Sequence, residues 1–259
     1  MKNSKDFLLL GHNGYLGDYL LNSLDADILD AKEIYNNGIK YNFVINCIGK
    51  PDIDFCEQNF EESLYSNSNI ILDIKKFYPE SKVINFSSYY VYNEKGFCSE
   101  TSITTDCTNY AKHKLLSEKN NYDGINFRLG KLFGNKRKIK NKLFDLILNS
   151  NELYLDEILF NPVSVKLVSK ILKNTSFLND HSGIYNLSNI GYVSHYDYGK
   201  YIANYLDLDI FIDKRKNFEK PFCNHGNFLM SVKKLSKYID IEHWTYDMNQ
   251  FLDEYKDNF

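Results

Sequence analysis

Paired cysteines, long apolar runs and a surplus of charge are all missing from this chain of 259 residues. Its five cysteines, Cys47, Cys56, Cys98, Cys107 and Cys223, are scattered, odd in number and form no C-x-x-C pair. That pattern argues against a zinc site or a disulfide frame and leads us to expect reduced thiols packed as small hydrophobes. No stretch approaches the roughly 20 apolar residues of a membrane span. Only Phe7-Leu8-Leu9-Leu10 precedes Gly11, too short a run for the apolar region of a secretory signal. A cytoplasmic protein with no membrane partner is therefore expected. The net charge of −3 lacks the basic footprint of a nucleic-acid binder. Internal repeats, low-complexity tracts and a recognisable linker are absent too.

What is present suits a globular fold. Hydrophobic residues make up 43% and charged residues 25%, enough apolar material for a core. Short apolar runs alternate with longer helical patterns. Phe7–Leu10, Asp27–Leu29, Phe43–Ile48, Val83–Phe86, Ile125–Arg128 and Gly183–Leu187 read as strands. Helices are expected over 14–24, 57–77, 109–120, 142–149, 164–174 and 196–206. The strands are mostly continuous apolar runs, as when both faces of a parallel sheet are buried. The expected fold class is α/β, a Rossmann-type doubly wound parallel sheet with a smaller C-terminal substrate-binding lobe. The dinucleotide-binding part is assigned to residues 1–134, with segments near 160–190 returning to it, and the lobe mainly to 135–259. The stretch after Asp209 carries no assignment.

Gly11-His12-Asn13-Gly14-Tyr15-Leu16-Gly17 follows the first strand and opens a helix. Glycines at this position permit a tight turn, close approach of a pyrophosphate to backbone N–H groups and close helix–strand packing. The helix N-terminus adds partial positive charge. All seven residues are candidate contacts for a dinucleotide. Asp30, nineteen residues after Gly11, is placed to hold an adenosine ribose if the cofactor is NAD. Lys32 close by could instead pair with the 2′-phosphate of NADP, so both cofactors stay open.

Tyr110 and Lys114 stand at i and i+4, on one helix face. Carbonyl reduction needs a proton donor as hydride arrives, and a free tyrosine, with a pKa of about 10, exchanges protons poorly at neutral pH. A neighbouring ammonium lowers that pKa and can hold a cofactor ribose. Tyr78/Lys82 and Tyr196/Lys200 share the spacing. Tyr78 is followed by Pro79, however, and Tyr196 comes too late in the strand order. Ser87 and Ser88 end the fourth strand, where hydroxyls of an open α/β sheet face the ligand crevice. Ser88 is the candidate for positioning a substrate oxygen and Ser87 for the nicotinamide side.

The G-x-x-G-x-x-G spacing resembles the extended branch of the short-chain dehydrogenase/reductase superfamily. Further segments narrow the likeness to the dTDP-4-dehydrorhamnose reductase and NAD-dependent epimerase/dehydratase family. These are Val44 to Gly49 with Ile53, Asp54 and Glu57, Ser87 to Tyr92, Tyr110 to Glu118, Arg128 to Gly134, Asn161 to Ser164 and Gly183 to Ser188. The likeness spans roughly residues 7–205. It implies an NAD- or NADP-dependent ketoreductase acting on a nucleotide-linked deoxysugar. Ser88, Tyr110 and Lys114 would be catalytic, with Cys47, Ile48, Gly49, Asn67, Ser87, Tyr110 and Lys114 lining the cofactor. A homodimer is a further expectation.

Tyr89 and Tyr90 stand where related 4,6-dehydratases carry an acidic pair, which disfavours β-elimination. The fucose-synthase branch uses a cysteine and a histidine, and Cys98 and His181 are present. A 4-epimerase that keeps its NAD through a redox cycle, and a non-catalytic cofactor-binding regulatory subunit, remain as alternatives.

Overall fold

The computed structural model of the chain describes residues 4–30, 34, 38–93, 96–135, 142–215 and 228–256. The apolar runs form a six-stranded sheet: β1 Ser4–Leu10, β2 Ala26–Leu29, β3 Lys40–Asn46, β4 Lys82–Ser88, β5 Ile125–Leu129 and β6 Gly183–Leu187. Every pairing is parallel and the order is β6-β5-β4-β3-β1-β2. The chain runs outward from β1 to β2 and returns to β3 on the other side of β1. The resulting reversal leaves a crevice above the C-terminal ends of β1 and β3, the usual place for a ligand in such sheets.

Alternation along each strand feeds two layers. Leu9, Phe43, Ile84 and Phe127 pack with Leu16 and Leu20 of the helix Tyr15–Ser23 and with Val168 and Ile171 of the helix Val165–Leu172. Leu8, Leu10 and Val44 face Ile70, Ile71 and Ile74 on the other side. Fully burying one such side chain contributes about 1.5–3 kcal/mol.

Beneath the helix Asn109–Asn120 this second face turns polar. Asn46 Nδ2 donates to Asn85 Oδ1 at 3.1 Å, Asn85 Nδ2 donates to Asn126 Oδ1 at 3.1 Å, and Asn126 Nδ2 donates to the Asn121 carbonyl at 3.0 Å. Asn85 Nδ2 also reaches Ser117 Oγ of that helix at 3.1 Å. The ladder is buried, and its pairing meets the requirement that buried amides find partners.

A separate apolar cluster gathers Phe133, Phe144, Ile147, Tyr198, Ile202, Trp244, Met248, Phe251 and Leu252. Beside it Glu152–Leu155 pairs in parallel with Phe211–Lys214, whereas Gly96–Cys98, paired with Phe228–Met230, places Cys98 and Met230 in a smaller cluster with Val91 and Tyr92.

Three expectations need correction. The helix read over 57–77 is broken: Ile53–Gln58 ends at Asn59, Phe60–Leu64 follows, and a π turn over Tyr65–Asn69 leads into Ile70–Phe77. The extra residue of the π turn goes with Asn67, whose side chain reaches both back to Ser63 on the same run and across to the Lys50 backbone. The unassigned C-terminal stretch contains a helix, Trp244–Lys256, that docks Trp244, Met248, Phe251 and Leu252 into the second cluster. Cys47, Cys56 and Cys98 are free, but Cys107 is disulfide-bonded. Spacing along the chain does not decide which thiols are oxidised. Among the described residues no helix is long and apolar enough to cross a membrane.

Candidate active site

The glycine loop is shaped by what it touches. Gly11 has φ +76°, and a Cβ there would lie 2.6 Å from the Cys47 carbonyl carbon and 2.7 Å from the Ile48 nitrogen. The turn after β1 therefore presses directly on the end of β3. Gly17 lies inside the helix, where a Cβ would come within 2.1 Å of the Gly11 carbonyl oxygen. Gly14, exposed, caps the helix without a side-chain hydrogen bond, leaving the backbone groups of the first turn to a ligand. Gly17→Ala is expected to push the helix off the loop and weaken binding of NADH and NADPH by at least about tenfold, read by nucleotide fluorescence titration. Unchanged affinity would mean that the loop does not carry the dinucleotide.

The other loop residues divide by their surroundings. Asn13 is exposed. Leu16 is buried in the core, and the Tyr15 hydroxyl accepts from the Asn135 backbone N–H at 3.0 Å, so both side chains are committed to packing and only their backbone faces the turn. His12 Nε2 stands 3.8 Å from Asp30 Oδ1, while its Nδ1 is buried with no hydrogen-bond partner among the described residues. Asp30 is thus brought to the loop as its position in sequence suggested. Lys32 lies outside the described residues.

Across the crevice, the Asn67 side chain closes the loop after β3. Its Oδ1 accepts from the Lys50 N–H at 3.0 Å, and its Nδ2 donates to the Lys50 carbonyl at 3.1 Å and to Ser63 Oγ at 3.2 Å. A Cβ on Gly49 would lie 3.1 Å from Asn67 Oδ1 and 3.4 Å from Lys114 Nζ. A side chain there would crowd the Asn67 amide, while Lys114 Nζ would stand only at ordinary van der Waals contact. Cys47 packs against the core, and burial raises its thiol pKa strongly. The thiol therefore stays protonated.

The helix Asn109–Asn120 presents Tyr110 and Lys114. Thr108 caps it by accepting from the Ala111 N–H at 3.1 Å, and Glu57 clamps its first residue, accepting from Asn109 N–H at 2.7 Å and from its Nδ2 at 2.9 Å. Glu57 is a positioning group that spacing alone did not single out, because its partner lies 52 residues away. Ser88 ends β4, and its Oγ accepts from the Tyr90 N–H at 3.2 Å. It also lies close enough to the Tyr110 phenol to lower its pKa. Ser87 Oγ is buried without a partner among the described residues, a hydroxyl left for something else to satisfy.

Burial raises the Tyr110 phenol to about 12, against the opposing influence of Ser88. Lys114 does not offset this. Its Nζ donates to the Phe86 carbonyl at 2.9 Å and lies 5.9 Å from the Tyr110 ring centroid. The expected lowering of the phenol by the ammonium is therefore not what the side chains do here, because the ammonium is turned toward the strand end. The phenol holds its proton at neutral pH, as a donor must.

Burial lowers Lys114 to about 8. The buried ammonium then costs on the order of 3 kcal/mol at pH 7. Between about pH 8 and 10 the unfolded lysine stays charged while the folded one loses its proton, so this contribution to stability rises with pH. Lys114→Met is expected to unfold at higher urea than wild type at pH 7, with the gap closing toward pH 10. A variant less stable than wild type at pH 7 would refute the cost.

The fucose-synthase pair does not assemble. Cys98 is buried beside Val91, Tyr92 and Met230, whereas His181 stacks on Phe177 just before β6 begins, at the sheet edge opposite the crevice. Among the described residues no group of three or more His, Cys, Asp or Glu could hold a metal ion.

Comparison with known proteins agrees with the fold. No curated protein matches the chain in sequence. A dTDP-4-dehydrorhamnose reductase from Clostridium acetobutylicum superposes with a TM-score of 0.83 at 19% identity, covering 97% of this chain and 100% of that one. The corresponding protein of Bacillus anthracis, in complex with NADP, gives 0.82 at 18% identity over 98% and 100%. A UDP-N-acetylglucosamine 4-epimerase from Methanobrevibacter ruminantium M1 gives 0.79 at 17% identity over the whole of both chains. Residues 6–257 match the RmlD substrate binding domain family, and the chain belongs to that family.

Proposed function

We propose that the chain is an NAD(P)H-dependent reductase of a nucleoside-diphosphate keto-deoxysugar. The observation that carries this reading is the meeting of Ser88, Tyr110 and Lys114 at the C-terminal end of β4, one glycine away from the loop that β1 presses against β3. The site fits a dinucleotide: Gly11, Gly14 and Gly17 leave backbone room, and His12 Nδ1 and Ser87 Oγ are buried without partners among the described residues. Gly11 to Gly17 would hold the pyrophosphate, Asp30 and His12 the adenosine ribose, and Gly49, Asn67 and Lys114 the nicotinamide end. The bound dinucleotide supplies the hydride.

In this reading Ser88 orients the carbonyl oxygen, and the protonated Tyr110 releases its proton to that oxygen as negative charge develops there. Lys114, its Nζ held on the Phe86 carbonyl, would hold the nicotinamide end in place beside the phenol. The relatives' names support the substrate class, since the neighbours include dTDP-4-dehydrorhamnose reductases and a protein complexed with UDP-glucose and NAD. Residues 1–134, with the returning segments, would bind the dinucleotide, and the second apolar cluster would underlie the sugar lobe.

Nucleotide sugars incubated with NADH or NADPH should produce loss of absorbance at the reduced-nicotinamide band with one of them. The 4-epimerase reading is favoured instead if the purified protein retains one NAD per chain and interconverts sugars with no net oxidation. Dinucleotide binding with neither activity would leave the regulatory-subunit reading.

A further inference from the structure

Between Tyr110 and Lys114, on the same helix, His113 is completely buried. Its ring meets Phe60 edge-on with centroids 5.0 Å apart, and its Nδ1 lies 2.9 Å from Ser63 Oγ. Nε2 is buried with no hydrogen-bond partner among the described residues. Burial lowers the imidazole pKa, helped by Lys112 and opposed by Glu57 and Glu61, so the ring is neutral at pH 7.

The direction of each proton follows from Asn67. Its Oδ1 takes the Lys50 N–H, so the amide nitrogen is the atom presented to Ser63 Oγ, at 3.2 Å. An amide nitrogen only donates, so the Ser63 oxygen accepts and its own proton is left for His113 Nδ1. The imidazole proton is then on Nε2, the nitrogen without a partner. Three donations therefore run one way, from Lys50 N–H to Asn67, from Asn67 to Ser63, and from Ser63 to the imidazole, where the series ends.

Packing gives no reason for a histidine at this place. A buried N–H with nothing to accept it is costly, and a leucine would fill similar space without that cost. The two helical runs are also joined elsewhere, since Asn120 Nδ2 donates to Ser68 Oγ at 3.2 Å. What the ring supplies is an acceptor for Ser63. The other end of the series is at the crevice. Lys50 follows Gly49, where a Cβ would lie 3.1 Å from Asn67 Oδ1, and Gly49 follows the Cys47–Ile48 backbone on which Gly11 presses.

We propose that His113 is a positioning residue for the dinucleotide. Its Nδ1 fixes the Ser63 hydroxyl, the hydroxyl fixes the Asn67 amide, and the amide holds the Gly49–Lys50 turn in the shape that receives the nicotinamide end. This rests on the dinucleotide reading of the crevice given above.

Fluorescence titration of the full chain with NADH and NADPH, alongside thermal unfolding, separates positioning from packing. His113→Leu is expected to raise Kd for the tighter-binding dinucleotide about three- to tenfold, the equivalent of one hydrogen bond. Its unfolding midpoint should stay at or above the wild-type value. His113→Asn, whose Oδ1 stands near the place of Nδ1, should restore most of the affinity. Ser63→Ala should weaken binding by the same factor as His113→Leu, and the double variant no further, since both remove one link. If His113→Leu fails to fold, Ser63→Ala and His113→Asn carry the test. Wild-type affinity in His113→Leu or Ser63→Ala, or losses that multiply in the double variant, overturns the proposal. So does a His113→Asn protein that binds as weakly as Ser63→Ala, or a loss of affinity that only follows a fall in the unfolding midpoint. A wild type that binds neither NADH nor NADPH overturns the parent reading instead.

Discussion

Replacing Tyr110 by phenylalanine is expected to lower kcat by about 10²–10⁴-fold, the usual contribution of a positioned acid. The ring is buried and remains filled by phenylalanine, so packing and dinucleotide affinity should hardly change. Only the hydroxyl, close to Ser88, is lost. Turnover of the responsive nucleotide sugar and fluorescence titration with NADPH measure the two quantities separately. A variant that retains the wild-type rate removes Tyr110 from the chemistry. One that loses rate and dinucleotide affinity together shows that the phenol organises the site without donating the proton.

The second large effect lies behind the site. Arg128 Nε and Nη2 donate to Glu118 at 2.9 and 2.7 Å, and both side chains are almost fully buried, at 3% and 5% exposure. Glu118 belongs to the Tyr110 helix and Arg128 to β5, so the pair staples helix to sheet. Arg128 also donates to the Glu100 carbonyl at 3.3 Å and covers the Tyr92 ring at 4.9 Å. Glu118→Ala would strand a buried guanidinium, and the expected cost is about 3–5 kcal/mol in urea unfolding. Glu118→Leu combined with Arg128→Met should recover most of the stability, because desolvating two charges offsets much of their attraction. A Glu118→Ala protein within about 0.5 kcal/mol of wild type would show that the pair is solvated in solution, contrary to its burial.

These residues also mark where the sequence is readable. The strands could be read because Phe7–Leu10 and Phe43–Ile48 are uninterrupted apolar runs, and Gly11 to Gly17 because its three glycines answer local demands of one turn. The Tyr110–Lys114 pair could be read from its i, i+4 spacing, but the direction of the ammonium could not. That direction depends on the Phe86 carbonyl, which lies 28 residues away. The break at Asn59 and the π turn were hidden because apolar residues keep a helical rhythm across both. In the last helix Trp244, Met248, Phe251 and Leu252 do stand at helical spacing, and the signal was missed because the preceding stretch offers no start.

The asparagine ladder has a bearing on how Tyr110 keeps its place. Parallel strands joined only by hydrocarbon can slide past one another in steps of two residues with little change in what they bury. Here a slide of β4 against β3 or β5 would uncouple Asn85 from Asn46, Asn126 and Ser117 together, leaving several amide groups dry and unmatched. The amides thus work as an indexing notch, fixing one permitted alignment of three strands and of the helix above them. The height of the phenol over the crevice is set by that notch, several residues below the chemistry.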